Sequence, residues 1–197
     1  MTHPAVEPSR RERNKQAKLD RITAAASTLF AEHGVDDVTT QQIAEAADIG
    51  AGTLFLYVRS KGELLLLVQN AHYADALALG MADAEIATTG LDAVMAILRP
   101  VVACNRVQVD NGRTYLREMA FGDPADPQRA AALEIVARTE AAVAACLTRH
   151  DPASADAGRL AHVISAVMFV ELSTSDEPDV ETLVARIREQ VRVLVAH

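Results

Sequence analysis

The sequence of 197 residues predicts an all-α protein, and the patterning divides it into about nine helices. Three observations carry that expectation. Apolar residues recur at helical spacing in the carboxy-terminal third, as in Leu160, Val163, Ile164, Val167 and Met168, then Val180, Leu183, Val184, Ile187, Val191 and Leu194. Several helix-start signals crowd into residues 39–61. No segment sustains the alternation of a half-buried strand, and no internal repeat or low-complexity tract interrupts the chain.

Taken in order, the first long helix shows Ile22, Ala25, Ala26, Leu29 and Phe30 on one face and ends at Gly34, a residue suited to a C-cap. Thr39 with Gln42 fits a capping box, flanked by Val38 and Ile43 as a hydrophobic staple. The helix behind it turns at Asp48, a residue type that tolerates the left-handed backbone region. A second short helix is expected from about Gly50 to Tyr57. Ser60 with Glu63 forms another box and opens a helix from Lys61 to about Asp83 or Ala87. Thr88, Thr89 and Gly90 separate it from a helix over Leu91, Val94, Met95 and Leu98, which Pro100 is expected to kink or break. Asp110, Asn111 and Gly112 read as a turn, and so do the residues from Gly122 to Pro127; a short helix from Arg113 to Phe121 fits between. Three longer helices complete the chain: Pro127 to about Arg149, about Ser154 to Ser173, and Pro178 to Ala196.

Half of the residues are apolar, enough for a sizeable core, and the formal charge is −8. That acidity is unevenly shared: residues 1–61 hold 8 Lys and Arg against 8 Asp and Glu, while residues 62–197 hold 11 against 19. Arg10, Arg11, Arg13, Lys15, Lys18 and Arg21 oppose only Glu12 and Asp20, a local excess suited either to phosphates or to a solvated arm. Cys104 and Cys146 belong to no metal-ligand or redox spacing, so no metal, cofactor or disulfide is expected. The start Met1, Thr2, His3, Pro4 shows no apolar signal core, and a cytoplasmic protein is expected. HExxH, GxSxG, P-loop and dinucleotide patterns are absent, which argues against an enzyme.

Two short helices around a tight turn suit a helix-turn-helix over residues 39–58. The helix end Leu29, Phe30, Ala31, Glu32, His33, Gly34, the start Thr39 and Thr40, the pair Ile43 and Ala44, and Gly52, Thr53, Leu54 and Phe55 in register with Tyr57, Lys61 and Leu64 resemble the DNA-binding region of TetR-family bacterial transcription regulators. Asp48 stands where that family usually has glycine, Val58 where it has phenylalanine, and Ala51 where a lysine or arginine is frequent. The resemblance covers roughly the first third of the chain. It implies a basic arm over 1–15, a DNA-binding domain with linking helix over 16–83, and a ligand-binding and dimerisation domain over 84–197.

Operator DNA is expected to meet Thr39, Thr40, Gln41, Gln42, Gly50, Gly52, Thr53, Tyr57, Lys61, Arg11 and Arg13. Gly50 and Gly52 disfavour a helix, so they mark either a tight fit between helices or close approach to DNA. In the middle helices Met95, Asn105, Arg106, Tyr115, Arg117, Glu118, Phe121 and Glu140 are candidates for lining a small-molecule pocket, with space opened by a kink at Pro100. Leu160, Val163, Ile164, Val167, Val184, Ile187 and Val191 are candidates for a homodimer interface, though part of both stripes must face the protomer's own core. The expected activity is that of a homodimeric repressor released from DNA by a small effector; a ligand-independent DNA binder, an enzyme and a cysteine redox sensor are the alternatives.

Overall fold

The computed structural model describes residues 9–152 and 156–195, and among them the chain is nine helices and no strand. These are α1 (Arg10–His33), α2 (Thr40–Ala46), α3 (Ala51–Leu54), α4 (Lys61–Ala84), α5 (Gly90–Arg106), α6 (Val109–Phe121), α7 (Pro127–His150), α8 (Ala157–Thr174) and α9 (Val180–Val195). Residues 1–8 of the expected arm, the expected helix start at Ser154 and the expected end at Ala196 lie outside the described residues. Among those described, no helix is long and apolar enough to cross a membrane.

The helix starts are written in side-chain caps. Ser9 and Glu12 exchange hydrogen bonds, the Glu12 amide donating to Ser9 Oγ at 3.2 Å and the Ser9 amide to Glu12 Oε2 at 2.7 Å. This capping box starts α1 within the span read as an arm, so the cations from Arg10 onward ride on a helix. Thr39 and Gln42 make the expected box at α2. At α4 the Ser60 hydroxyl accepts from the Glu63 amide at 3.0 Å, but the Glu63 carboxylate takes the amide of Arg59 at 2.6 Å, one residue before the position a capping box uses.

Ile22, Ala26 and Phe30 of α1 close over Ile43 and Leu54, with Val35, Val38 and Val58 completing a small core. Each such large side chain stabilises the fold by about 1.5–3 kcal/mol on burial. α4 leaves this unit and enters the larger helical body, where Leu64, Leu65, Leu66, Val68, Tyr73 and Leu77 are buried on several faces. At Gly80 the backbone lies close against α5: a Cβ there would lie 2.7 Å from the Ile97 carbonyl oxygen and 2.9 Å from that of Ala96.

Two expectations about the middle helices are corrected. α5 runs through Pro100 as one helix. Proline deprives the Ala96 carbonyl of its usual amide donor, and the bare backbone of Gly80 lets α4 pack over that turn. Asp110, Asn111 and Gly112 are not a turn but the first turns of α6; the chain reverses earlier, at Val107 and Gln108. Gln108 Oε1 accepts from the Asn111 amide at 2.6 Å and so starts the helix. Asn111 itself is buried, its Nδ2 donating to the Phe30 carbonyl at 2.7 Å and its Oδ1 accepting from the Val35 amide at 2.6 Å. Gly112 is needed for contact with α5, since a Cβ would lie 2.3 Å from the Asn105 carbonyl oxygen. Residues that look like turn formers therefore dock α6 onto the end of α1.

Candidate functional site: nucleic-acid interface and apolar cavity

The turn between α2 and α3 is built by Asp48, which at φ 54° is the one non-glycine residue with positive φ among the described residues. Gly50 precedes α3 in an extended conformation and serves as its N-cap without a side-chain bond. α3 is shorter than expected: after Leu54 the chain continues in tighter turns, Leu56 donating to Thr53 O at 3.1 Å and Tyr57 to Leu54 O at 2.9 Å. Leu54 and Val58 anchor this segment in the core, and Tyr57 packs half-buried against it. The opposite side is open. A Cβ on Gly52 would meet nothing within 4 Å, so a tight fit between helices is not its role. Beside it Phe55 is 53% and Leu56 78% exposed. Thr53 sits half-buried at the edge of this face.

An open groove joins that face to the cationic start of α1, lined by Arg10, Arg11, Lys15, Lys18, Leu56 and Tyr57. Arg11, Lys15 and Lys18 are spaced to share one side of the helix, and Arg13 lies on the same two turns. Lys61 occupies a different position: its Nζ donates to the carbonyls of Asp36 at 3.2 Å and Val38 at 3.0 Å, holding the loop that leads into α2. An ammonium has three protons, so one donor remains. Thr40 is half-buried on the first turn of α2, while Gln41 bonds Glu45 at 2.7 Å and Gln42 Oε1 accepts from both the amide and hydroxyl of Thr39 at 2.8 Å.

A second concavity lies in the body: a cavity of about 310 Å³ walled by α4, α5, α6, α7 and α8. Tyr73, Val101, Tyr115, Leu116 and Met119 form one side, Ala132, Ile135, Val136, Thr139 and Glu140 another, and His162, Ser165, Met168, Phe169 and Leu172 a third. Its tyrosine rings stack with centroids 4.3 Å apart, and burial pushes both phenols up. Their hydroxyls are engaged behind the wall: Asn105 Nδ2 donates to Tyr73 at 2.7 Å, and Tyr115 donates to Asn70 Oδ1 at 2.9 Å. At the rim, His162 Nδ1 and Glu140 Oε1 lie 3.0 Å apart.

Of the pocket candidates read from the sequence, Tyr115 and Glu140 are on this wall. Met95 is buried away from it, and Asn105 stands one layer behind. Arg106 instead caps the end of α8, donating to the carbonyls of Leu172 at 3.1 Å and Ser175 at 3.2 Å. Arg117 and Glu118 approach each other at 3.5 Å, and Phe121 is 81% exposed beyond the cavity. α5 is unbroken at Pro100, and the next residue, Val101, is on the wall. Tyr73, Leu116, Met119, Ile135, Val136 and Phe169 were not among the sequence candidates, since nothing local distinguishes them from core residues of four separate helices.

The stripes of α8 and α9 divide in a similar way. Ile164, Val184, Ile187 and Val191 are enclosed in the protomer's own core. Leu160 and Val167 are half-buried, Val163 is 43% exposed, and Val170, outside the expected set, is 55% exposed. Val163, Val167 and Val170 thus leave an apolar line along α8. Burial pushes the Cys104 thiol up to about 11, with Asp75 adding to the rise, and burial also raises Cys146. A reactive thiolate needs the opposite shift. Among the described residues no group of His, Cys, Asp and Glu could hold a metal ion.

Residues 22–68 match the family model described as bacterial regulatory proteins, tetR family. No curated protein matches the chain. Solved structures share its fold over nearly the whole length. The TetR family transcriptional regulator PfmR from Thermus thermophilus is 19% identical with a TM-score of 0.64, covering 90% of this chain and 98% of its own. Thermus thermophilus FadR, a TetR family transcriptional repressor in complex with lauroyl-CoA, is 18% identical with a TM-score of 0.67, at 90% and 92% coverage. FadR from Bacillus subtilis, a transcriptional regulator in complex with stearoyl-CoA, is 16% identical with a TM-score of 0.63, at 90% and 98%. The amino-terminal unit thus carries the match to the tetR family of bacterial regulatory proteins, on a body of the same overall fold as these regulators.

Proposed function

We propose that the protein is a homodimeric repressor whose hold on operator DNA is released by a small molecule in the α4–α8 cavity. One observation carries the DNA half of this reading: the open face of Gly52, Phe55 and Leu56 adjoins the cationic groove of α1. A recognition helix must bring its surface against base edges while flanking groups hold phosphates. Gly50, Gly52 and Thr53 would meet bases, with Phe55 and Leu56 suited to thymine methyls. Thr39 and Thr40 at the start of α2, Gln41, Gln42, Tyr57, the remaining proton of Lys61, Arg11 and Arg13 would meet the backbone. Residues 16–83 would then be the DNA-binding domain and 84–197 the domain that controls it. Lys15 and Lys18, part of the basic run in the sequence, join the phosphate set through the groove they line.

A duplex selected from a random library by the full chain provides the test. Replacing Arg11, Lys15 or Lys18 by alanine lowers the slope of log affinity against log salt by about one unit each. An unchanged slope in all three overturns the interface.

One short helix reads few base pairs, so two copies about 34–36 Å apart are needed. The Val163, Val167 and Val170 line of α8 would supply the pairing surface, together with Leu160. α6 would carry the signal: it lends Tyr115, Leu116 and Met119 to the cavity and Asn111 to the end of α1. A coupling of about 1–3 kcal/mol changes operator affinity roughly 5- to 150-fold. Two neighbours of this fold hold acyl-CoA molecules, which supports an effector with a long apolar portion. The cavity favours this reading over a ligand-independent DNA binder, since an apolar space of this size matches small-molecule sites.

A further inference from the structure

The cavity has a charge signature of its own. Among the described residues no lysine or arginine lines it, and Glu140 is its one carboxylate. Most of the other polar groups are committed elsewhere: the hydroxyls of Tyr73 and Tyr115 to Asn105 and Asn70, and that of Thr139 to the Ile135 carbonyl at 2.8 Å. Glu140 is bonded to His162 alone, and that imidazole is 76% exposed, free to swing outward when another donor arrives. An anionic head group in this space would meet like charge, with the exposed imidazole of His162 as its one possible counter-cation, whereas a cationic one would meet a carboxylate beside an aromatic wall.

We propose that the cavity takes a lipophilic monocation, an alkyl or aryl amine whose apolar body lies against Tyr115 and Phe169 and whose ammonium replaces His162 on Glu140. The proposal rests on the cavity being the effector site. An ammonium-carboxylate bond formed at the rim of an apolar space is stronger than the same contact in open water. The apolar body supplies affinity and Glu140 supplies the choice of head group.

Calorimetry of the full chain with decylamine, decanol, decanoate and lauroyl-CoA separates the classes, alongside release of a bound DNA duplex. Decylamine binds about tenfold tighter than decanol, the difference a charged hydrogen bond supplies, and decanoate binds more weakly than either. Glu140→Gln removes the preference for the amine and keeps decanol binding; circular dichroism checks that this variant is folded. His162→Ala retains the carboxylate, removes its competitor and tightens the amine. Tighter binding of decanoate or lauroyl-CoA than of the amine, or a preference that survives Glu140→Gln, overturns the proposal. Glu140-dependent amine binding that leaves the duplex bound keeps the ligand class and removes the effector role. Release by decanoate and not by decylamine does the reverse.

Discussion

In the amino-terminal unit most of the decisive groups face outward and are set by bonds across three or four residues, Thr39 with Gln42, Ser60 with Glu63 and Gln41 with Glu45, while Lys61 reaches back to Asp36 and Val38. Around the cavity they face inward and are set by bonds that span far more of the chain, 32 residues between Tyr73 and Asn105 and 45 between Asn70 and Tyr115. The first kind of surface is dictated locally and the second only by the assembled body. Asn111 stands between them. Its two bonds to Phe30 and Val35 join α6, which walls the cavity, to the helix that carries the cations.

The strongest way to break this comparison is Asn111→Ala, which leaves the buried Val35 amide without its partner and the Phe30 carbonyl with the Gly34 amide alone. Urea denaturation is expected to show a loss of about 1–3 kcal/mol; a loss near zero means that apolar packing alone joins the two regions. Gly52→Ala sharpens the outward face. Ala is favoured over Gly in a helix by about 1 kcal/mol, and here the methyl has room. The variant should melt higher yet bind a selected duplex more weakly, and unimpaired binding would separate Gly52 from the DNA. The smallest effect is at the α2–α3 turn: Asp48→Gly relieves a left-handed backbone and gains about 0.5 kcal/mol in thermal denaturation. The exposed Arg21 pair at 3.5 Å that it removes offsets little of that gain.

The same division explains what the sequence could disclose. The α2 box, the turn at Asp48, the C-cap at Gly34 and the helical stripes are local rules, and each is realised. Ser9 and Glu12 carry an equally local signal that charge concealed: the run of arginines reads as an arm until the capping box is noticed. Asn111 and Gly112 misled for another reason. Their turn-forming chemistry is real, but the Phe30 carbonyl, the Val35 amide and the backbone of Asn105 claim it for docking. Pro100 likewise predicts a break that packing against Gly80 accommodates. The cavity wall was legible only at Tyr115 and Glu140, because its remaining residues are ordinary apolar positions until five helices bring them together.

The Asn111 bridge bears on modularity. It crosses Gly34, whose φ of 80° strains any residue with a Cβ, and whose Cβ site 2.8 Å from Gln108 Nε2 would displace that side chain. A DNA-reading head transplanted from a distant regulator would have to present a carbonyl, a bare glycine and an amide in the same order to this receiving helix. The junction is thus a lock between head and body, restricting which heads can be exchanged even where their operator-reading surfaces are sound.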